Sequence, residues 1–248
     1  MSLRGGGISK APWDSQNLGL AVGDDARAVA QHRSRWAVVT GAQPVWLQQV
    51  HGRAVLELTH DKLDWAALQA ADAAWTQTPG LACSVMVADC LPVLLACRDG
   101  RAVAAAHAGW RGLAAGVLQA TVQALCRGSG AQARDLLAWL GPCIGPRQFE
   151  VGIDVLQAFK VPSAAGPDSG PAAASGPGPQ RHFVLRRRAD GSQRWLADLH
   201  GLARDVLLQL GLVEISADPA CTVQDSSRFF SFRRSGITGR HVCSVWLR

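Results

Sequence analysis

LACSVMVADCLPVLLACRDGRAVAAAHAGWRG, residues 81–112, holds three apolar runs separated by short polar hinges. The first, 81–88, is almost continuously apolar until it meets Asp89, Cys90 and Pro92. The second, 93–97, stops at the turn signal Asp99-Gly100, and the third, 102–106, ends at His107. Short apolar runs bounded by turn residues predict buried strands of a central sheet. Polar side chains at such strand ends can converge on one point. Gly109-Trp110-Arg111-Gly112 then opens a helical pattern in which Leu113, Val117, Leu118, Val122 and Leu125 recur at helical spacing up to Cys126. Gly128 and Gly130 are its stop signals.

Outward from this stretch the same alternation continues. Residues 45–50 and 54–58 are compatible with strands, and Gly52, directly after His51, predicts a hairpin or bulge with His51 at its tip. Residues 136–140 read as another buried strand, closed by Gly141-Pro142. Leu196, Leu199, Ala203, Val206 and Leu210 form a second amphipathic helix stopped by Gly211, and 213–216 and 241–247 read as closing strands. The segment 163–180 is almost wholly Ala, Gly, Ser and Pro, so it is expected to be a flexible surface insertion, not a linker. No internal repeat is present. The expected fold class is α/β: one domain over 1–248, a central mixed sheet flanked by helices.

Composition narrows the partners. Of 248 residues, 48% are hydrophobic, enough for a sizeable core and against disorder of the whole chain. The net charge of +6 is dispersed, with short runs only at 186–188 and 233–234. There is no basic helix and no motif of nucleic-acid recognition, so the charge points to a solvated surface or a small anionic ligand. The start of the chain lacks the apolar stretch of a signal peptide, and no apolar run is long enough to span a bilayer. A soluble, cytoplasmic protein without membrane or nucleic-acid partners is expected, as a monomer or small homo-oligomer. Seven cysteines, an odd number without any Cys-x-x-Cys pair, argue against a disulfide framework, a zinc ribbon or a thioredoxin motif. Most are expected to be small core residues.

The residues that could carry chemistry lie at the strand ends. His51, Cys90 and His107 each follow an apolar run beside a glycine or proline. Two imidazoles and a thiolate suit zinc, and three protein ligands leave a fourth position open, as catalytic sites do. The same atoms permit another reading, in which Cys90 is a nucleophile and His107 its base, with Asp89 an orienting group or a strand-end cap. Gly109 to Gly112 lie between a strand and a helix, where Arg111 and the Gly112 helix start could cradle a phosphate; the plain alternative is a tight turn with a surface arginine. Glu150 is a candidate general base. In Arg228-Phe229-Phe230-Ser231-Phe232-Arg233-Arg234, Arg228, Phe230 and Arg233 could sandwich an aromatic ring and bind an anion, or form an amphipathic strand.

These segments together resemble the YfiH-like proteins, also called the laccase-domain or multicopper polyphenol oxidase family. The resemblance rests on Gln49-Val50-His51-Gly52, Ala71-Asp72-Ala73, Ala88-Asp89-Cys90-Leu91-Pro92-Val93 and His107-Ala108-Gly109-Trp110-Arg111-Gly112. It continues through Gly141-Pro142-Cys143-Ile144-Gly145, Phe149-Glu150-Val151, Cys221-Thr222, Arg228-Phe229-Phe230-Ser231 and Thr238-Gly239-Arg240. It implies a fold similar to the catalytic domain of cytotoxic necrotizing factor toxins, with a metal, usually zinc, held by His51, Cys90 and His107. The chain departs from the family's spelling in having no tyrosine: Trp13 and Phe232 stand where tyrosines are usual.

The resemblance implies phosphorolysis of adenosine, inosine and methylthioadenosine and deamination of adenosine, with a purine nucleoside and phosphate as small-molecule partners. Its alternatives are an amidase editing peptidoglycan precursors and a copper-dependent polyphenol oxidase. Seven histidines without a His-x-His pair do not suit a multinuclear copper cluster in one chain, although copper could occupy the zinc position.

Overall fold

The computed structural model describes residues 1–67, 69–162 and 178–248. The insertion expected at 163–180 therefore lies outside the described residues except at its end, where a 3-10 turn covers Pro179–His182. The elements in chain order are α1 (Ala26–Thr40), β1 (Gln43–Trp46), β2 (Val55–Glu57), α2 (Leu63–Ala67), β3 (Ala73–Thr76), β4 (Leu81–Val87), β5 (Leu91–Cys97) and β6 (Val103–Ala108). There follow α3 (Trp110–Ala115), α4 (Val117–Ser129), β7 (Leu136–Leu140), β8 (Glu150–Val151), α5 (Ile153–Ala158), β9 (Phe183–Arg187) and β10 (Gln193–Ala197). The last are α6 (Leu199–Gln209), β11 (Glu214–Ala217), α7 (Phe232–Ser235) and β12 (His241–Trp246).

The α/β class is as expected, but the centre is two stacked sheets and not one. A six-stranded mixed sheet runs β11-β7-β5-β6-β3-β2, and a three-stranded sheet runs β1-β4-β12. Alternation along the strands explains the stacking, since successive side chains leave on opposite faces. Ala73, Trp75, Val93, Leu95, Ala104, Ala106, Ala138 and Leu140 face a core shared with α4, α5 and α6. The residues between them, Ala74, Leu94, Ala105 and Trp139, face Val45, Leu81, Cys83, Val85 and Cys243 of the second sheet. The outer face of that sheet meets α1, where Trp36 Nε1 donates to Ser244 Oγ at 3.1 Å. Sheet strands buried on both faces are apolar throughout, which is why 81–112 reads as near-continuous runs.

Two local expectations are corrected. β1 pairs with β4 and β2 with β3, so the segments around His51 lie in different sheets and form no hairpin. The helix expected from Gly109 to Cys126 is broken: Gly116, at φ 93, caps α3 and starts α4. A residue with a Cβ would be strained in that left-handed conformation. A third, small sheet, β8-β10-β9, completes the domain and carries Glu150.

Candidate metal centre

The chain passes from the second sheet to the first at Ala88-Asp89-Cys90, between β4 and β5. Asp89 makes that turn with φ 93, unusual for a residue with a Cβ. Its buried carboxylate holds the strained turn: one oxygen accepts from Thr222 Oγ1 at 2.6 Å, the other from Ser231 Oγ at 3.0 Å and the Arg233 N–H at 2.6 Å. The Asp89 carbonyl accepts from the Ile144 N–H. Asp89 is thus a cap whose bonds set where Cys90 emerges.

β5 and β6 are antiparallel, with Leu91 opposite Ala108 and Pro92 opposite His107. That register puts Cys90 opposite Gly109. A Cβ at Gly109 would lie 2.8 Å from Cys90 Sγ and 3.1 Å from His51 Cδ2, so a side chain there would occupy the site itself. The loop bearing His51 is pinned to β4 through Gln49, whose Nε2 donates to the Met86 carbonyl and whose Oε1 accepts from the Met86 N–H.

Asp72, fully buried just before β3, joins the two histidines. Its carbonyl accepts from the His107 N–H at 2.7 Å, and Oδ1 lies 2.8 Å from His107 Nδ1. The same carboxylate accepts the backbone N–H groups of Val50 (3.1 Å), His51 (2.9 Å) and Gly52 (2.6 Å). These bonds hold His51 at φ 60. Burial works against the charge of Asp72, but the bonds from His107, Gly52 and Val50 outweigh it and keep its carboxyl below the usual range.

The donor atoms of His51, Cys90 and His107 all lie within 4.8 Å of one another, with Cys90 Sγ 3.9 Å from His51 Nε2. Burial pushes the Cys90 thiol up; the nearby imidazoles of His107 and His51 pull it down further than that, favouring the thiolate. Burial likewise disfavours a charged His107, and Cys90 and Asp72 reverse the effect. The donor set fits a borderline-soft divalent metal. His107 commits Nδ1 to a carboxylate, which leaves Nε2 for the centre and gives the carboxylate–histidine arrangement common beside metals. His51 is exposed and His107 buried, so the group opens to one side. No other cluster of three or more such ligands occurs among the described residues.

The other expected residues are placed differently. Arg111 is exposed, its guanidinium 4.3 Å from the Trp110 ring centroid. Gly112 is not the helix start; it is buried inside α3, where a Cβ would lie 2.9 Å from the Gly52 carbonyl oxygen. Phe230 offers no stacking surface: it is fully buried, with its ring 5.0 Å from His241. Arg228 pairs with Asp225, and Arg233 Nη1 donates to the carbonyls of Gln148 and Glu150. The Glu150 carboxylate is taken up by Arg188 and Arg186, away from a base's role. Among the residues to which sequence reasoning gave no role, Asp72 matters most. Its signals were the Ala71-Asp72-Ala73 motif and an acid at the entry to a buried strand.

The family described as multi-copper polyphenol oxidoreductase laccase matches residues 1–248. The chain is 45% identical over 248 residues to a purine nucleoside phosphorylase of Pseudomonas aeruginosa, covering 100% of this chain and 92% of the relative. To the purine nucleoside phosphorylase YfiH of Escherichia coli it is 43% identical over 248 residues, covering 99% and 92%. Among solved structures, a Neisseria meningitidis protein superposes with a TM-score of 0.82 at 40% identity, covering 99% of this chain and 91% of that one. The YfiH protein of Bacillus licheniformis does so with a TM-score of 0.85 at 27% identity, again covering 99% and 91%.

Proposed function

The chain belongs to the YfiH-like, laccase-domain family, and from that premise we propose that it is a zinc-dependent purine nucleoside phosphorylase acting on small-molecule substrates, which also deaminates adenosine. Adenosine, inosine and methylthioadenosine are the proposed nucleosides. The observation that carries this reading is the convergence of two imidazoles and a thiol within 4.8 Å, open on one side.

When bound, the ion would supply a Lewis acid at the open side, able to lower the pKa of water for deamination. The protein's own part is placement. Asp72 fixes the His107 ring and the His51 backbone, Asp89 fixes Cys90, and Gly109 keeps the floor of the site clear. In phosphorolysis a phosphate oxygen forms a bond to the ribose C1′ while the bond from C1′ to the base breaks. The electron pair of that bond leaves with the base, which takes up a proton. Exposed Arg111, in the first turn of α3 shortly after His107, would help to draw phosphate in.

A second reading has a specific observation in its favour. Cys90, His107 and Asp72 stand in the order nucleophile, base and orienting carboxylate, which suits an amidase acting on an anionic cell-wall precursor. The polyphenol oxidase reading has less support, because among the described residues no further imidazole joins His51 and His107 in a cluster. His32 bonds the Ile8 N–H, His182 Asp205, His200 the Gly141 carbonyl and His241 the Phe230 N–H.

The test is phosphate-dependent release of base from adenosine and inosine, in the wild type and Cys90→Ala, with metal content measured in both. Release that disappears together with the metal supports the phosphorylase. A metal-loaded protein that frees no base, yet releases an amino acid from a peptidoglycan precursor, would move the assignment to the amidase.

A further inference from the structure

We propose that Arg240 is the residue that holds the phosphate co-substrate at this centre, an inference that rests on the phosphorylase reading above. The register of the second sheet gives its place. β12 runs antiparallel to β4 with His241 opposite Val87, so Arg240 falls opposite Ala88, the residue that leads into Asp89 and Cys90. Arg240 thus sits at the entry to β12, beside the turn that leads to Cys90.

The surroundings of Arg240 hold its position without neutralising it. Its N–H donates to Asn17 Oδ1 at 2.8 Å, and its carbonyl accepts from the Leu18 N–H at 3.1 Å. Gly19 makes room for the stem, since a Cβ there would lie 2.7 Å from Arg240 Cγ. Nη1 donates to the carbonyls of Thr238 and Gly239 at 3.0 and 3.1 Å, and the guanidinium lies 6.0 Å from the centroid of the exposed Phe232 ring. Among the described residues, no carboxylate is within ion-pair distance of it. Burial lowers its pKa, and the charges of Cys90 and Asp89 act in the opposite sense, so both lie within its electrostatic reach.

Of the other candidate arginines, three are committed elsewhere and the fourth is exposed. Arg228 is paired with Asp225. Arg233 and Arg234 give hydrogen bonds to backbone carbonyls, and Arg111 lies exposed over Trp110. Arg240 alone of these five is both anchored at its stem and half-buried beside the Cys90 turn with no bond from its Nη2 among the described residues. A planar guanidinium held in this way suits an oxyanion that needs directional, charge-assisted hydrogen bonds. The reaction balances without any further reactant: hydrogen phosphate and nucleoside give ribose 1-phosphate and free base, the phosphate's proton ending on the base.

The experiment compares the metal-loaded wild type with Arg240→Gln and Arg240→Lys, measuring KM for phosphate and for inosine separately. It also measures the rise in thermal midpoint on adding inorganic phosphate alone. The expected result in Arg240→Gln is a phosphate KM raised about tenfold or more, for the loss of one or two charge-assisted hydrogen bonds, with the inosine KM within about twofold of wild type. The phosphate-induced thermal shift should vanish in Arg240→Gln and return in part in Arg240→Lys. An unchanged phosphate KM and thermal shift in Arg240→Gln would overturn the proposal. If the wild type turns over no nucleoside, the phosphorylase reading falls by itself; the phosphate-induced shift then decides separately whether Arg240 binds the anion. Should Arg240→Gln fail to fold, Arg240→Lys carries the comparison, and wild-type values for it in both measurements would count against the proposal.

Discussion

His107 Nδ1 lies 2.8 Å from Asp72 Oδ1, on a carboxylate that also accepts the backbone N–H groups of Val50, His51 and Gly52. One buried acid therefore orients the His107 ring and holds the backbone that carries His51. Asp72→Asn, which keeps the shape but not the charge, is expected to weaken metal binding roughly 10- to 100-fold. Asp72→Ala, which strands a buried partner, is expected to cost about 3 kcal/mol of stability as well. Metal titration and urea unfolding of the two variants check this. Unchanged metal affinity in Asp72→Asn would confine the residue to a folding role.

Gly109 tests the geometry of the centre directly. Its φ of −62 is ordinary, so Gly109→Ala introduces no backbone strain, only a methyl 2.8 Å from Cys90 Sγ. The expected result is about a 100-fold loss of turnover with metal affinity reduced. Gly5→Ala, where a Cβ would meet nothing within 4 Å, is the control and should match the wild type.

Cys90 is half-buried beside His51 and His107 and is not a core side chain. Cys90→Ala is expected to lose the metal and the activity together while the thermal midpoint of the metal-free protein stays within a few degrees of wild type. In the wild type, free zinc at about 100 times its Kd should add about 2.7 kcal/mol of stability, and a chelator should remove it. A Cys90→Ala protein that keeps its metal would show that the thiol is not a ligand.

Acid sensitivity is expected from His241, which is fully buried between Phe229 and Phe230 and whose Nε2 accepts the Phe230 N–H. Burial lowers its pKa from 6.5 to about 3. The unfolded chain takes up the proton below about pH 6.5, whereas the folded chain does not until near pH 3, so folding stability is full above the first value and falls between the two. The slope is about 1.4 kcal/mol per pH unit. Urea unfolding at pH 7, 6 and 5 should show that decline in the wild type and a shallower one in His241→Gln. Equal slopes would remove His241 from the account.

Much of the site was legible before any coordinates. His51, Cys90 and His107 stood out because each ends an apolar run beside a glycine or proline, and local pattern records burial and strand ends faithfully. The strands β4, β5, β6 and β7 were readable for the same reason. Asp89 was readable as a strand-end cap but its partners were not, and Asp72 and Arg240 lay in motifs without a role, because what these residues do depends on groups far along the chain. Asp72 serves residues 20–22 positions before it and 35 after it, and Asp89 is held by groups more than 130 residues away.

By itself the sequence determined the class of fold and, through its motifs, the family, and it singled out three candidate donor residues, since burial periodicity and residue chemistry are local properties. Only the tertiary structure decided that the apolar runs divide between two stacked sheets, that the segments flanking His51 do not pair with each other, and that Phe230 belongs to the core. The physical reason is that an apolar strand will bury itself against any apolar face. Which face it meets is set by long-range register, and that register is what brings Cys90 opposite Gly109, Asp72 beside His107 and Arg240 opposite Ala88.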